Sequence, residues 1–289
     1  MRRGSQAGSA PSRGIVAAMG TPVLLAIAHG SREPAAAALL DRLMDRVRGL
    51  APDLDARLSY VDHVMPSVGQ ALDDLGFWSA DVVAVPLLLS AASHSKGDIP
   101  GSIMVARGRH RGLSVRYGRV LGPHPLLLRA LAQRLAEAAV PESAAVVLAA
   151  AGAVDPEANA DVARTARLLW EFRGGGPVEA GFAAATEPGV AAVVDRFRRL
   201  GYDDIAVASY FLAPGRFAAT PATLGVPVTQ PLADTDAVAE LVLERYAEAV
   251  AGRAVMNCDC CIYRTPWPGR EHRVGQPQRP HAHPGERAI

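Results

Sequence analysis

The sequence predicts an α/β protein built from two similar lobes, each a parallel sheet flanked by helices, with a cleft between the lobes. Three observations predict it. Residues 23–34, VLLAIAHGSREP, recur as residues 145–156, AVVLAAAGAVDP, at an offset of 122, and residues 83–94, VAVPLLLSAASH, recur as residues 205–216, IAVASYFLAPGR, at the same offset. Short continuous apolar runs, which suit strands buried on both faces, alternate with segments of helical periodicity. Histidine or acidic residues stand where the runs of the first lobe end, and ligands of open parallel sheets bind beyond those carboxyl ends.

The elements follow in order. Val23–Ala28 is an apolar run closed by His-Gly. Residues 34–50 place Leu39, Leu40, Leu43, Val47 and Leu50 on one helical stripe. Ala56–Val61 alternates like a strand, and a helix opens near Pro66. Strands follow at 81–89 and 114–117, then a helix over 125–138. The second lobe repeats the order, with strands at 145–150, 178–182, 205–211 and 226–228 and helices over 156–170, 188–200 and 234–250. Residues 1–21 read as a flexible leader, with Met19 as a candidate start. The first lobe is 22–140, the second 141–251, with a hinge at Val140–Ser143, and 252–289 is a tail rich in Pro, Gly, Arg and His.

Composition narrows the function. The chain has 289 residues, 49% hydrophobic and 20% charged, enough for two domains with substantial cores. A net charge of +1 argues against a nucleic-acid partner, because phosphate binding needs clustered cations. No apolar run approaches the roughly 18–20 residues of a membrane span, so a cytoplasmic, membrane-free protein is expected. Lys96 is the only lysine.

His29 ends the first strand, Asp62 and His63 the second, and His94 follows the third. Imidazoles bind divalent iron, cobalt, nickel or zinc, and a carboxylate completes an open ligand set. Adjacent side chains diverge, so only one of Asp62 and His63 enters the crevice, and the repeat does not choose between them. The second lobe puts Ala151 and Arg216 at the places of His29 and His94. SHSKGDIPGSI (93–103) reads as a polar loop forming a lip, from which Lys96, with Arg32, holds ligand carboxylates. His110 and His124 read as surface or capping residues. Ser31 beside His29 is discounted as a nucleophile, since no G-x-S-x-G elbow is present.

AHGSR (28–32), YVDHVMPSV (60–68) and VPLLLSAASHSKGDIP (85–100) resemble the ATP-independent, class II tetrapyrrole chelatases. The nearest group is the sirohydrochlorin cobalto- or ferrochelatases in their long two-lobed form. The resemblance covers roughly residues 22–251; in the second lobe it rests on SYFLAPGR (209–216). It implies a chelatase-like fold and insertion of Fe(II) or Co(II), as substrate, into sirohydrochlorin, in siroheme or cobalamin biosynthesis. It also implies that His29 and His94 bind metal and remove pyrrole protons, that Asp62 takes the acidic role, and that Arg216 pairs with a macrocycle carboxylate. Asp stands at 62 where the family more usually has Glu.

The tail motif MNCDCC (256–261) holds all three cysteines, Cys258, Cys260 and Cys261. Their clustering suits metal or redox chemistry rather than a disulfide framework. In members with such a motif an iron–sulfur centre is associated with it; three thiolates fall one short of the usual four. His272, His281 and His283 offer a loose metal store instead. A monomer is expected, with a dimer through the tail as the other arrangement. The competing functional readings are a non-catalytic tetrapyrrole or cobalt/nickel binding protein and, more weakly, a small-anion binder.

Overall fold

The computed structural model describes residues 21–215 and 224–254. The first sheet contains β1 (Val23–Ala28), β2 (Ala56–Tyr60), β3 (Asp81–Pro86) and β4 (Ser114–Tyr117), all parallel, in the order β2-β1-β3-β4. The second contains β5 (Ala145–Ala150), β6 (Val178–Phe182) and β7 (Ile205–Ser209), in the order β6-β5-β7. The strand expected at 226–228 contributes one parallel bridge, Val228 to Val207. Pro227 has no N–H to give, so only its carbonyl joins the ladder, accepting from Val207 at 2.8 Å. Likewise β3 stops at Pro86 rather than running to Leu89.

The helices are α1 (Pro34–Leu50), α2 (Val68–Phe77), α3 (Ile99–Arg109), α4 (Pro125–Glu137), α5 (Pro156–Arg173), α6 (Val190–Arg199) and α7 (Asp236–Val250). Their ends follow local chemistry. Ser67 and Gln70 form a reciprocal capping box at α2. Asp155 caps α5, which ends on Gly174 in the left-handed conformation. His124 caps α4 by accepting from the Leu126 N–H, and His110 bonds Asp73; neither joins the strand-end site.

The repeat is visible in the backbone. Asp62 N–H donates to the His29 carbonyl as Ala184 N–H does to Ala151, at 2.8 and 2.9 Å. His63 and Ala185 share a φ near 60°, and Gly30 and Gly152 are left-handed at 90° and 82°. Both lobes carry a cis X-Pro bond at the matching place, Met65–Pro66 and Glu187–Pro188. The left-handed turn at His63 is therefore part of the scaffold, since an alanine adopts it in the other lobe.

The single offset fails after α2 and α6. Val23 of β1 pairs with Val82, yet Ala145 of β5 pairs with Ile205, which is 123 residues after Val82. Leu87 N–H donates to the Ile27 carbonyl and Tyr210 N–H to the Ala149 carbonyl, again 123 apart. Burial agrees: Val82 and Ala84 face α2 and α3 as Ile205 and Val207 face α6. A one-residue slip would turn each of these side chains to the opposite face. One extra residue thus lies in the turn at Tyr202–Asp204. The offset of 122 that set Arg216 opposite His94 therefore does not hold through β7, and position 216 lies outside the described residues.

The two lobes share one continuous core. α7 packs on α1, β3 and β4 of the first sheet, while α4 packs on α5 and β7 of the second. A cut at 140 therefore assigns each closing helix to the lobe opposite the one it covers. Arg245 of α7 shows the strength of the exchange. It is 1% exposed, it donates to the carbonyls of Val120 and Leu121 at 2.9 Å each, and it pairs with Glu248. Arg245→Met strands those acceptors and should cost about 3–5 kcal/mol in chemical denaturation.

Candidate metal-handling site

β1 and β3 are neighbours in the sheet, so their ends bring His29 and His94 together. The ring centroids are 4.7 Å apart and the planes nearly perpendicular, at 88°. His94 opens a single π-helical turn, His94–Asp98, that runs directly into α3. Wide turns of this kind concentrate at functional sites. Residues 93–103, expected as a loop, are thus largely helical: Pro100 sits in the first turn of α3, where its missing N–H costs nothing.

Each imidazole is anchored through Nδ1. That atom of His29 lies 3.0 Å from the Gly30 carbonyl oxygen, and that of His94 lies 2.6 Å from Asp98 Oδ2. Carbonyl and carboxylate oxygens only accept, so in the neutral rings Nδ1 holds the proton and Nε2 the lone pair. Backing a ligating histidine with a carboxylate or carbonyl is the usual way of fixing its tautomer and aim. Asp98 was not anticipated; its spacing of four from His94 places both on one face once the segment is read as helical.

Gly30 permits this arrangement. Its φ is 90°, and a Cβ built there would stand 1.8 Å from the Asp62 carbonyl oxygen. Only glycine lets the His29 loop lie against the end of β2. Asp62 consequently sits beside His29, where its charge favours the imidazolium. Its Oδ1 accepts from the His63 backbone N–H at 2.9 Å and lies 3.3 Å from His63 Nδ1. Among the described residues no three His, Cys, Asp or Glu side chains converge on one metal position. The set assembled is the histidine pair, with Asp62 as a charged neighbour.

The His29 pKa is lowered, first by burial and then by His94, against the raising effects of the Gly30 carbonyl and Asp62. His29 as a whole residue remains exposed. The shift favours the neutral ring, the form a ligand must take. The sign for stability follows. As pH falls below the unfolded value the unfolded chain takes up this proton first, so folding loses free energy. Thermal melts of the unaltered chain and His29→Asn from pH 7.5 to 5 should show the unaltered chain losing more stability on acidification.

The other expected ligand holders are distributed differently. Arg32 is exposed on the loop that carries His29. Lys96 does not sit on a lip. It is 1% exposed, with Nζ 2.6 Å from Asp155 Oδ2 and 2.7 Å from Glu157 Oε2 at the start of α5. A buried ammonium needs paired carboxylates, and two second-lobe carboxylates claim this one, so its assignment to a ligand is corrected. Arg216, Cys258, Cys260 and Cys261 lie outside the described residues. The second lobe still reaches the site: a Cβ at Gly215 would lie 3.6 Å from Ser31 Oγ.

Fold and site together describe a duplicated parallel α/β protein in which one lobe carries a histidine pair at adjacent strand ends. The CbiX family profile matches residues 23–138 and again 145–249, and the chain belongs to that family. It is 29% identical over 262 residues, 83% of this chain and 84% of the relative, to a sirohydrochlorin cobaltochelatase of Priestia megaterium. It is 30% identical over 155 residues, 52% of this chain and 58% of the relative, to a sirohydrochlorin ferrochelatase of Bacillus subtilis. Among solved structures, SirB from Bacillus subtilis with Fe3+ superposes with a TM-score of 0.69 at 24% identity, covering 82% of this chain and 99% of that one. That likeness confirms two parallel sheets flanked by helices.

Proposed function

We propose that this protein is a sirohydrochlorin chelatase that inserts Fe(II) or Co(II) into the tetrapyrrole without ATP. The observation that carries the reading is the His29–His94 pair, 4.7 Å apart and anchored at both Nδ1 atoms. The curated relatives, named as cobalto- and ferrochelatases of this substrate, support it.

Insertion exchanges two pyrrole N–H protons for one divalent cation. The Nε2 lone pairs of His29 and His94 hold the arriving metal as its water is shed, and as the metal passes to the ring nitrogens the imidazoles accept the departing protons. Two histidine ligands leave coordination positions open, so the metal is held weakly enough to be released. Asp62 adds negative charge where cation and imidazolium form. Arg32, and Arg216 from the second lobe, pair with substrate carboxylates. Both walls of the site come from one chain, which supports a monomer; among the described residues no helix is long and apolar enough to cross a membrane.

Anaerobic incubation with sirohydrochlorin and Fe(II) or Co(II) should give the absorbance change of a metallated ring, faster than without protein. Tetrapyrrole binding without acceleration would sink the reading in favour of a carrier. Cys258, Cys260 and Cys261 are proposed to hold an iron–sulfur cluster, with a fourth ligand from elsewhere. Anaerobically purified protein should then show visible sulfur-to-iron charge-transfer absorption and acid-labile sulfide.

A further inference from the structure

We infer that the second lobe, which lacks the histidines, acts as the positioning device for His94 through Lys96, Asp155, Glu157 and Asp161. The inference rests on the chelatase reading of the histidine pair. The segment from β3 to the π-turn is held at three points by the other lobe. Tyr210 Oη donates to the Leu89 carbonyl at 3.2 Å. The Asp161 carboxylate faces the Ala91 backbone N–H, which favours its charged form. Lys96, two residues beyond His94, is inserted between Asp155 and Glu157 at 2.6 and 2.7 Å. Within the first lobe, Tyr117 Oη holds the Ser95 carbonyl at 2.9 Å.

The chemistry of these groups suits a fixture. A single ammonium supplies three donors from a flexible stem, so one lysine engages two carboxylates at once. Burial removes the water that would otherwise compete for it, and separating the lobes would leave an unpaired charge in the interior. The pair of carboxylates is particular to the second lobe: the repeat places Glu33 opposite Asp155 but Ala35 opposite Glu157. The sole lysine of the chain thus fixes the π-turn from one side while Asp98 fixes the His94 ring from the other. Asp155, Glu157 and Asp161 touch neither metal nor substrate in this account; they act through His94 and are positioning residues.

The triple variant Lys96→Met/Asp155→Asn/Glu157→Gln removes the ammonium together with both carboxylates paired to it, and asparagine retains the α5 cap. It should insert metal with kcat lowered tenfold or more and KM for sirohydrochlorin within twofold. Cobalt(II) titration without tetrapyrrole, followed by d–d absorption, should show affinity weakened about tenfold. A mere loss of correctly folded molecules would lower the amplitude at unchanged affinity. A folded triple variant with kcat and cobalt affinity within twofold of the unaltered protein overturns the inference. Glu157→Gln leaves Lys96 its Asp155 partner and repeats the test in milder form: kcat should fall threefold or more at constant KM, and an unchanged kcat overturns the inference equally. Failure of the chelatase reading would appear separately, as no insertion by the unaltered protein.

Discussion

His29→Ala and His94→Ala should each lower metal insertion by two orders of magnitude or more while leaving the chain folded. Each imidazole is asked to hold a cation and to take a proton, and proton transfer by a positioned side chain alone contributes about 10²–10⁴-fold. The rings stand 4.7 Å apart, so they share one small volume and act as a unit. The double variant should accordingly lose little beyond either single one, because effects of residues that act together are far from additive. Neither residue supports the core: His29 is exposed and His94 is half-buried at the strand ends. Initial rates of sirohydrochlorin metallation for the three variants, with circular dichroism to establish folding, check the expectation. A single variant retaining more than a tenth of the rate would remove that histidine from the mechanism.

The second large effect separates scaffold from chemistry by placing one lesion in both lobes. Gly30→Ala forces a side chain into a left-handed backbone, with its Cβ 1.8 Å from the Asp62 carbonyl oxygen. Gly152→Ala does the same 2.2 Å from the Ala184 carbonyl. Both should destabilise the protein by about 3 kcal/mol, from backbone strain and displacement of the neighbouring strand end. Their effects on turnover should diverge. Gly30 lies between His29 and the turn that carries Asp62, so its variant should lose nearly all insertion even in the folded fraction. Gly152 follows Ala151, which has no chemistry to misplace, so the folded Gly152→Ala protein should keep most of its rate. Denaturant midpoints paired with rates normalised to folded protein measure both. Equal losses per folded molecule would mean that the second-lobe turn also touches the reaction.

Much of this architecture is legible in the chain. Continuous apolar runs mark β1, β3 and β5, and their abrupt ends at His29 and Ala151 show where ligands belong and which lobe has lost the means to bind them. The unreadable parts are those decided at long range. Gly97, Pro100 and Gly101 look like loop residues, yet the first turn of α3 tolerates Pro100 and close packing uses Gly101, which is buried. The side chain of Lys96 looks like a surface cation because its partners come from another lobe. The extra residue before β7 is hidden because Ile-Ala-Val at 205–207 resembles Val-Ala-Val at 83–85 at least as well as Val-Val-Ala at 82–84, while hydrogen-bond register and burial select the latter. Asp62 and His63 show the limit most directly. Alternation allows one of them inward, but the left-handed turn at His63 ties both into a shared contact, with Asp62 accepting from the His63 backbone.

The crossed closing helices bear on how such a chain could be divided. A break in the turn at residues 140–143 yields two pieces, each ending in a helix whose apolar face matches the sheet of the other. Each piece keeps one helix on its own inner face, α1 or α5, but leaves the rest bare, since α7 lies on β3 and β4 while α4 lies on β7. Co-expressed, the halves should recover one another as an obligate heterodimer, with His29 and His94 on one fragment and Asp155 and Glu157 on the other.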